Sequence, residues 1–156
     1  MKSPALSEIR STIRALDPDE VAELVLRLAR FKKENKELIS YLLYSAHNEH
    51  VFVEEVKAEL DTEFKAVNKT NLYQAKKTIR KILRLINKFC RYSQSKQTEA
   101  ELRIYFCKTL NGLGIGFRKS QVLLNLYNNQ VKKIHSVVDS LHEDLRFDFA
   151  MELENL

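Results

Sequence analysis

Residues 71–91 read NLYQAKKTIRKILRLINKFCR, and their spacing points to the fold class. At about 100° per residue, Leu72, Ala75, Ile79, Ile82, Leu83, Ile86, Phe89 and Cys90 gather on one side of a helix. Lys77, Arg80, Lys81, Arg84, Lys88 and Arg91 fall within about 60° of a line on the opposite side. The spacing therefore predicts a helix of about five turns, ~30 Å long, with an aliphatic face for a core and a basic face for solvent. Such a helix needs other helices to cover its apolar side.

The charge on that helix is a local property. From Lys65 to Thr98 there are ten Lys or Arg and no Asp or Glu, whereas the whole chain carries only +5. Residues 1–64 sum to −4, residues 65–98 to +10 and residues 99–156 to −1. Like charges at i,i+4 cost a few tenths of a kcal/mol per pair, which surface helices usually avoid by mixing in Glu. A concentrated basic patch is the electrostatic footprint of a surface that binds a polyanion. Tyr73 inside the stripe and Tyr92 at its edge are expected to offer rings that stack on a base or lie against a sugar. The competing expectation is a solvated face neutralised by the Glu-rich segment before it, with Glu54, Glu55, Glu59 and Glu63.

Composition supports helix elsewhere. Three Gly and two Pro in 156 residues leave little material for the turns of an all-β fold. With 44% hydrophobic residues the chain can bury one good core, and a single all-helical domain over residues 1–156 is expected. No apolar run long enough to cross a membrane occurs, and MKSPALSEIR lacks the apolar centre of a secretion signal. A cytoplasmic location is expected, with Cys90 and Cys107 as reduced packing residues.

Punctuation divides the chain into seven or eight helices. Ser3 caps a first helix with Pro4 at its first position. Asp17, Pro18 and Glu20 start a second in capping-box register, which carries Val21, Leu24, Val25, Leu28 and Phe31 at helical spacing. A third opens near Asn35 and buries Leu38, Ile39, Leu42, Leu43 and Ala46. A fourth runs from about Asn48 to Phe64 and precedes the basic helix. Thr98 caps a sixth helix through Leu102 and Phe106, Ser120 starts a seventh through Leu123 and Ile134, and a short piece follows from His142.

The expected fold is all-α, a stack of seven to eight antiparallel helices built as an armadillo-like or HEAT-like α-solenoid or as an irregular helical bundle. A faint internal echo supports the solenoid form. Leu26-Arg27-Leu28 recurs as Leu83-Arg84-Leu85, and the segment from Glu37 to Leu43 resembles that from Glu101 to Cys107. Any two amphipathic helices share such residues, so chance accounts for the echo equally well.

All three glycines stand within five residues, at Gly112, Gly114 and Gly116. Their plain role is a turn between the sixth and seventh helices. Gly114-Ile115-Gly116, with Ser120 and Leu123 downstream, also resembles the hairpin of helix-hairpin-helix modules, although Leu113 stands where that family usually has Pro. The resemblance implies that backbone amides of the turn and the next helix hold a DNA phosphate. Arg118 and Lys119 beside the turn are then a second contact for an anion.

Two histidine sets have helical spacing. His47, His50 and Glu54 share a side if the third and fourth helices are continuous, and His135, Asp139, His142 and Glu143 stand at i, i+4, i+7 and i+8. No nucleophile or further ligand accompanies either set, so no metal, cofactor or catalytic residue is expected. The reading is a non-catalytic binding module. Its expected partner is nucleic acid, held by phosphates on Lys77, Arg80, Lys81, Arg84, Lys88 and Arg91, with Arg118 and Lys119 added, and without base reading. The alternative is a scaffold that docks an acidic protein surface, or a homodimer in which the acidic fourth helix meets the basic fifth helix of its mate. No membrane partner is expected, because the apolar face of the basic helix is needed for its own core.

Overall fold

The computed structural model describes residues 2–154 and 156. It is 81% helical, and among the described residues there are eight α-helices and no strand. The helices are α1 (Leu6–Ala15), α2 (Pro18–Phe31), α3 (Lys33–Ser40), α4 (Glu49–Lys65), α5 (Leu72–Ser93), α6 (Lys96–Gly112), α7 (Gln121–Val138) and α8 (Glu143–Leu153). They belong to two compact units, Met1–Tyr44 and Ser45–Leu156.

In the first unit the capping box forms as expected. The Asp17 side chain takes the N3 amide, and the Asp17 amide donates to Glu20 Oε2 at 3.0 Å. Helix α1, however, starts later than Ser3 and Pro4 suggest. The amides of Glu8 and Ile9 donate to the Ala5 carbonyl at 3.0 and 3.1 Å, so the first turn closes on Ala5 and Ser3 and Pro4 remain outside. Helix α2 packs on α3 across the single extended residue Lys32, and Asn35 Nδ2 donates to the Leu28 carbonyl at 3.0 Å. None of α1, α2 or α3 contains a buried residue. Leu42, Leu43 and Ala46, expected inside, are exposed. A π-helical turn, Tyr41–Ser45, adds a residue per turn and rotates the face that α3 began.

The second unit is a helical bundle that holds the core. Helix α4 packs on α5 and α6, α5 on α6, α6 along α7, and α8 against α6 and α7. Leu60, Ile79, Ile82, Ile86, Leu102, Phe106, Leu110 and Ile134 are completely buried. On the aliphatic face of α5, Ala75, Ile79, Ile82, Leu83, Ile86 and Phe89 are buried as the spacing predicts, while Leu72 at the first turn is exposed. Burying a side chain of this size stabilises by about 1.5–3 kcal/mol, so this face is the principal reason α5 is a helix.

Its ends are set locally. Asn71 Oδ1 accepts from the amides of Tyr73 and Gln74, and Asn68 Oδ1 shapes the preceding turn by accepting from the amides of Thr70 and Asn71. Helix α6 begins a turn before Thr98. Ser95 Oγ accepts from the Thr98 amide at 3.2 Å, which makes Ser95 the cap. The Thr98 hydroxyl turns inward and donates to Glu49 Oε1 at 2.7 Å.

Between α6 and α7 the glycine cluster makes a turn. Gly114 (φ 72°) and Gly116 (φ 60°) take the left-handed conformation that L side chains resist, and Gly112 ends α6. Cys90 and Cys107 are free thiols, which burial pushes up to about 11 and about 12 respectively. They are packing groups held protonated.

Candidate functional site

The expected site residues on α5 do not share one environment. Lys77, Arg80, Arg84 and Arg91 are exposed, and among the described residues none has a carboxylate within 4.0 Å. Lys81 is exposed but ion-paired, with Nζ 2.6 Å from Glu63 Oε1. Lys88 is half-buried, and its ammonium lies 4.6 Å from the centre of the Phe89 ring. The stripe therefore has four cations open to solvent, beside Lys81 in its ion pair and Lys88 over the Phe89 ring.

The acidic helix leaves Lys77, Arg80, Arg84 and Arg91 without a carboxylate partner among the described residues. Glu63 takes Lys81, but Glu54 turns to Lys57 on its own helix at 2.8 Å, and Lys57 also reaches Glu101 on α6 at 2.6 Å. Burial works to lower the Lys57 pKa, yet its hydrogen bonds to Glu101 and Glu54 outweigh that and hold it raised. The Lys57 side chain is nevertheless partly exposed, so this pair is a modest tie between α4 and α6.

The two tyrosines separate. Tyr73 is 60% exposed, with the ammonium groups of Lys76 and Lys77 at 5.0 and 4.8 Å from its ring centre. Tyr92, expected at the edge of the stripe, is instead buried and meets Phe89 edge-on at 6.1 Å. It lies on the core side of the helix, so of these two tyrosines Tyr73 is the one whose ring faces solvent.

Beside the stripe lies a cleft of about 590 Å³ between α5 and α7. One wall carries Lys77, Arg80 and Arg84, and the apolar lining is Leu83 and Leu126. Asn87 and Gln130 supply its amides. Both amides are fixed by Arg103 of α6, only 4% exposed, whose Nη1 donates to Gln130 Oε1 at 2.6 Å and whose Nη2 donates to Asn87 Oδ1 at 3.0 Å. Glu99 Oε1 anchors the guanidinium through Nε at 2.8 Å and Nη2 at 2.6 Å. One arginine thus joins α5, α6 and α7 with four of the five N–H donors of its fork engaged.

Arg103, Asn87, Gln130 and Leu126 are the residues that sequence reasoning missed. A signal exists for one of them. Arg103 stands between Leu102 and Ile104 on a helix with Phe106 and Cys107 near its face, where a cation is tolerated only with partners.

The glycine turn differs from the phosphate-holding hairpin that its sequence resembles. A short 3₁₀ turn, Phe117–Lys119, separates Gly116 from α7, and the amides of Lys119 and Ser120 are spent on the carbonyls of Gly116 and Phe117 at 2.9 and 3.0 Å. Arg118 donates to Asn111 Oδ1 at 3.1 Å and lies 5.5 Å from the centre of the Phe117 ring. Lys119 is exposed beside it.

The histidine sets do not gather ligands: among the described residues no three His, Cys, Asp or Glu side chains come together as a metal would require. Residues 46–48 interrupt the helix between His47 and His50, with Asn48 capping α4. His135, Asp139 and Glu143 line a cleft of about 690 Å³ between α7 and α8, whereas His142 turns to Asp144 at 3.5 Å. No described helix is long and apolar enough to cross a membrane.

Comparison with known proteins finds no matching family model, no similar curated protein and no similar solved structure.

Proposed function

We propose that the protein is a non-catalytic binding module that holds the phosphate backbone of nucleic acid on the exposed face of α5, without reading base sequence there. The observation that carries this reading is the set Lys77, Arg80, Arg84 and Arg91, four exposed cations along one helix face with no carboxylate partner among the described residues. A surface helix with this much uncompensated charge bears a repulsion that bound phosphates would relieve. Arg118 and Lys119 at the glycine turn are the secondary contact. Two cysteines that serve as unpaired packing groups fit a reducing compartment, and the cytoplasm is the proposed location.

The test is binding of labelled single-stranded DNA, duplex DNA and RNA across a salt series. Neutralising four phosphates gives a slope of about −3 in log affinity against log salt, or roughly a 10²-fold loss between about 50 and 200 mM. Replacing Arg84 and Arg91 together with Glu should abolish binding and leave the circular dichroism unchanged, since both point away from the core. Salt-insensitive binding retained by that variant would remove α5 as the surface.

A second reading draws on α4. Glu55 and Glu59 are exposed and have no basic partner among the described residues, so an acidic protein surface, or the α4 of a second copy, would complement α5. Sedimentation of the wild type beside the same double variant distinguishes it. A dimer that dissociates in the variant, with no nucleic-acid binding in the wild type, would favour this reading.

A further inference from the structure

We infer that the cleft between α5 and α7 binds a nucleotide, taking one unstacked base against Leu83 and Leu126 while the cations of its wall hold the attached phosphate. The phosphate half rests on the reading proposed above; the base half rests on the cleft itself. Its volume, about 590 Å³, lies within the ~300–1,000 Å³ of small-molecule sites, and it sets two leucines beside three cations and two amides, an apolar spot for a base next to polar groups for the rest of a nucleotide.

Those polar groups have a fixed sense. An arginine only donates, so the atom that Asn87 and Gln130 each turn toward Arg103 is the carbonyl oxygen. The amide NH2 of each is thereby left for the cleft that both side chains line. Because Arg103 is buried and itself gripped by Glu99, this orientation is set before any ligand arrives. Two amide donors in one cleft match a base that presents carbonyl oxygens. Thymine and uracil present two, whereas cytosine presents one and an amino group that would meet a donor with a donor. Arg80 and Arg84, one helical turn apart on the wall, add guanidinium planes that stack on a base or pair with a phosphate. A duplex keeps its bases stacked and paired, so the cleft serves a single strand or a free nucleotide.

The probes are fluorescent oligo-thymidylate, oligo-cytidylate and a DNA duplex of equal length, read by anisotropy, together with thymidine monophosphate followed through the methyl resonances of Leu83 and Leu126. Leu126→Phe fills the cleft, and Asn87→Leu removes one donor at an exposed position should the first variant fold poorly. We expect oligo-thymidylate to bind about tenfold more tightly than the duplex and more tightly than oligo-cytidylate. Both variants should remove that advantage and leave duplex affinity unchanged. Methyl shifts with thymidine monophosphate but no binding of any oligomer would identify a free nucleotide as the ligand, uphold the cleft and sink the backbone reading. Oligo-thymidylate and duplex bound equally, with the variants changing neither and the methyls unmoved, would overturn the cleft and leave the backbone reading standing. No response to any probe would overturn both.

Discussion

Helices α2 and α5 are amphipathic to a comparable degree in sequence, yet one has no fully buried residue and the other carries the core. In α2, Leu24, Leu26 and Leu28 are 38%, 45% and 47% exposed, and Phe31 is 75% exposed. In α5, Ile79, Ile82 and Ile86 are completely buried. The difference lies in what each unit offers as a partner. Helix α5 packs on α4 and α6, whose Leu60, Leu102 and Phe106 are completely buried, whereas the main partner of α2 is the eight-residue α3. A periodic pattern selects a face, and the tertiary structure decides whether that face is covered.

The largest effect that tests this contrast is a charge placed on each face. Ile82→Asp should cost about 4 kcal/mol by stranding a carboxylate in the core, whereas Leu28→Asp should fall within about 0.5 kcal/mol of wild type. Urea denaturation of both variants checks it, and equal losses would show that the two faces are buried alike.

Next in size is Arg103→Met, which leaves Asn87, Gln130 and Glu99 without their common donor. A loss of about 2 kcal/mol is expected, moderated by the exposure of Glu99, and Arg103→Lys should recover little of it because an ammonium lacks the planar fork. Recovery by Lys would mean that charge alone, rather than geometry, holds the three helices.

Hydrogen exchange resolves the same contrast amide by amide. Amides of α5 and α6 should open only with global unfolding, while those of α1 and α2 exchange through cheaper local openings. Uniform protection across both units would break the comparison.

Alkaline titration should show a smaller effect. The Cys107 thiol, raised by burial from 9.0 to about 12, stays protonated in the fold where the unfolded chain ionises. Its contribution to stability is therefore complete below about pH 9 and is lost as the pH climbs toward 12. Alkylation of Cys107 at neutral pH should require unfolding, and rapid modification of the native protein would contradict its burial.

The smallest effect belongs to the turn. A Cβ at Gly116 would meet only Lys119 Cδ at 3.9 Å, so Gly116→Ala should cost about 1 kcal/mol through its positive φ alone. It should leave any polyanion affinity unchanged, because the turn has already spent its nearest amides on itself.

The two echoing segments show where local pattern stops being informative. Leu26 and Leu28 are exposed, whereas Leu83, in the matching stretch, is buried. The same letters occupy different environments because their neighbours differ. The candidate site divides in the same way. The exposed cations of α5 were readable from a single helix, since side chains at i, i+3 and i+4 share a face whatever surrounds them. The pairing of Lys81 with Glu63 and the burial of Tyr92 were not, because each depends on a residue from another helix or on small rotations of the wheel.

The sequence alone determined the all-helical class, the capping box at Asp17, the core face of α5, the basic face opposite it and the glycine turn. Each is settled by interactions within a few residues, or by a periodicity that a single helix imposes. Tertiary structure alone decided which amphipathic faces find cover, which cations stay unpaired, and the cleft in which Arg103 orients Asn87 and Gln130. Those features join residues 16 and 27 positions apart in the chain, a separation over which helical periodicity carries no information and only packing brings side chains together.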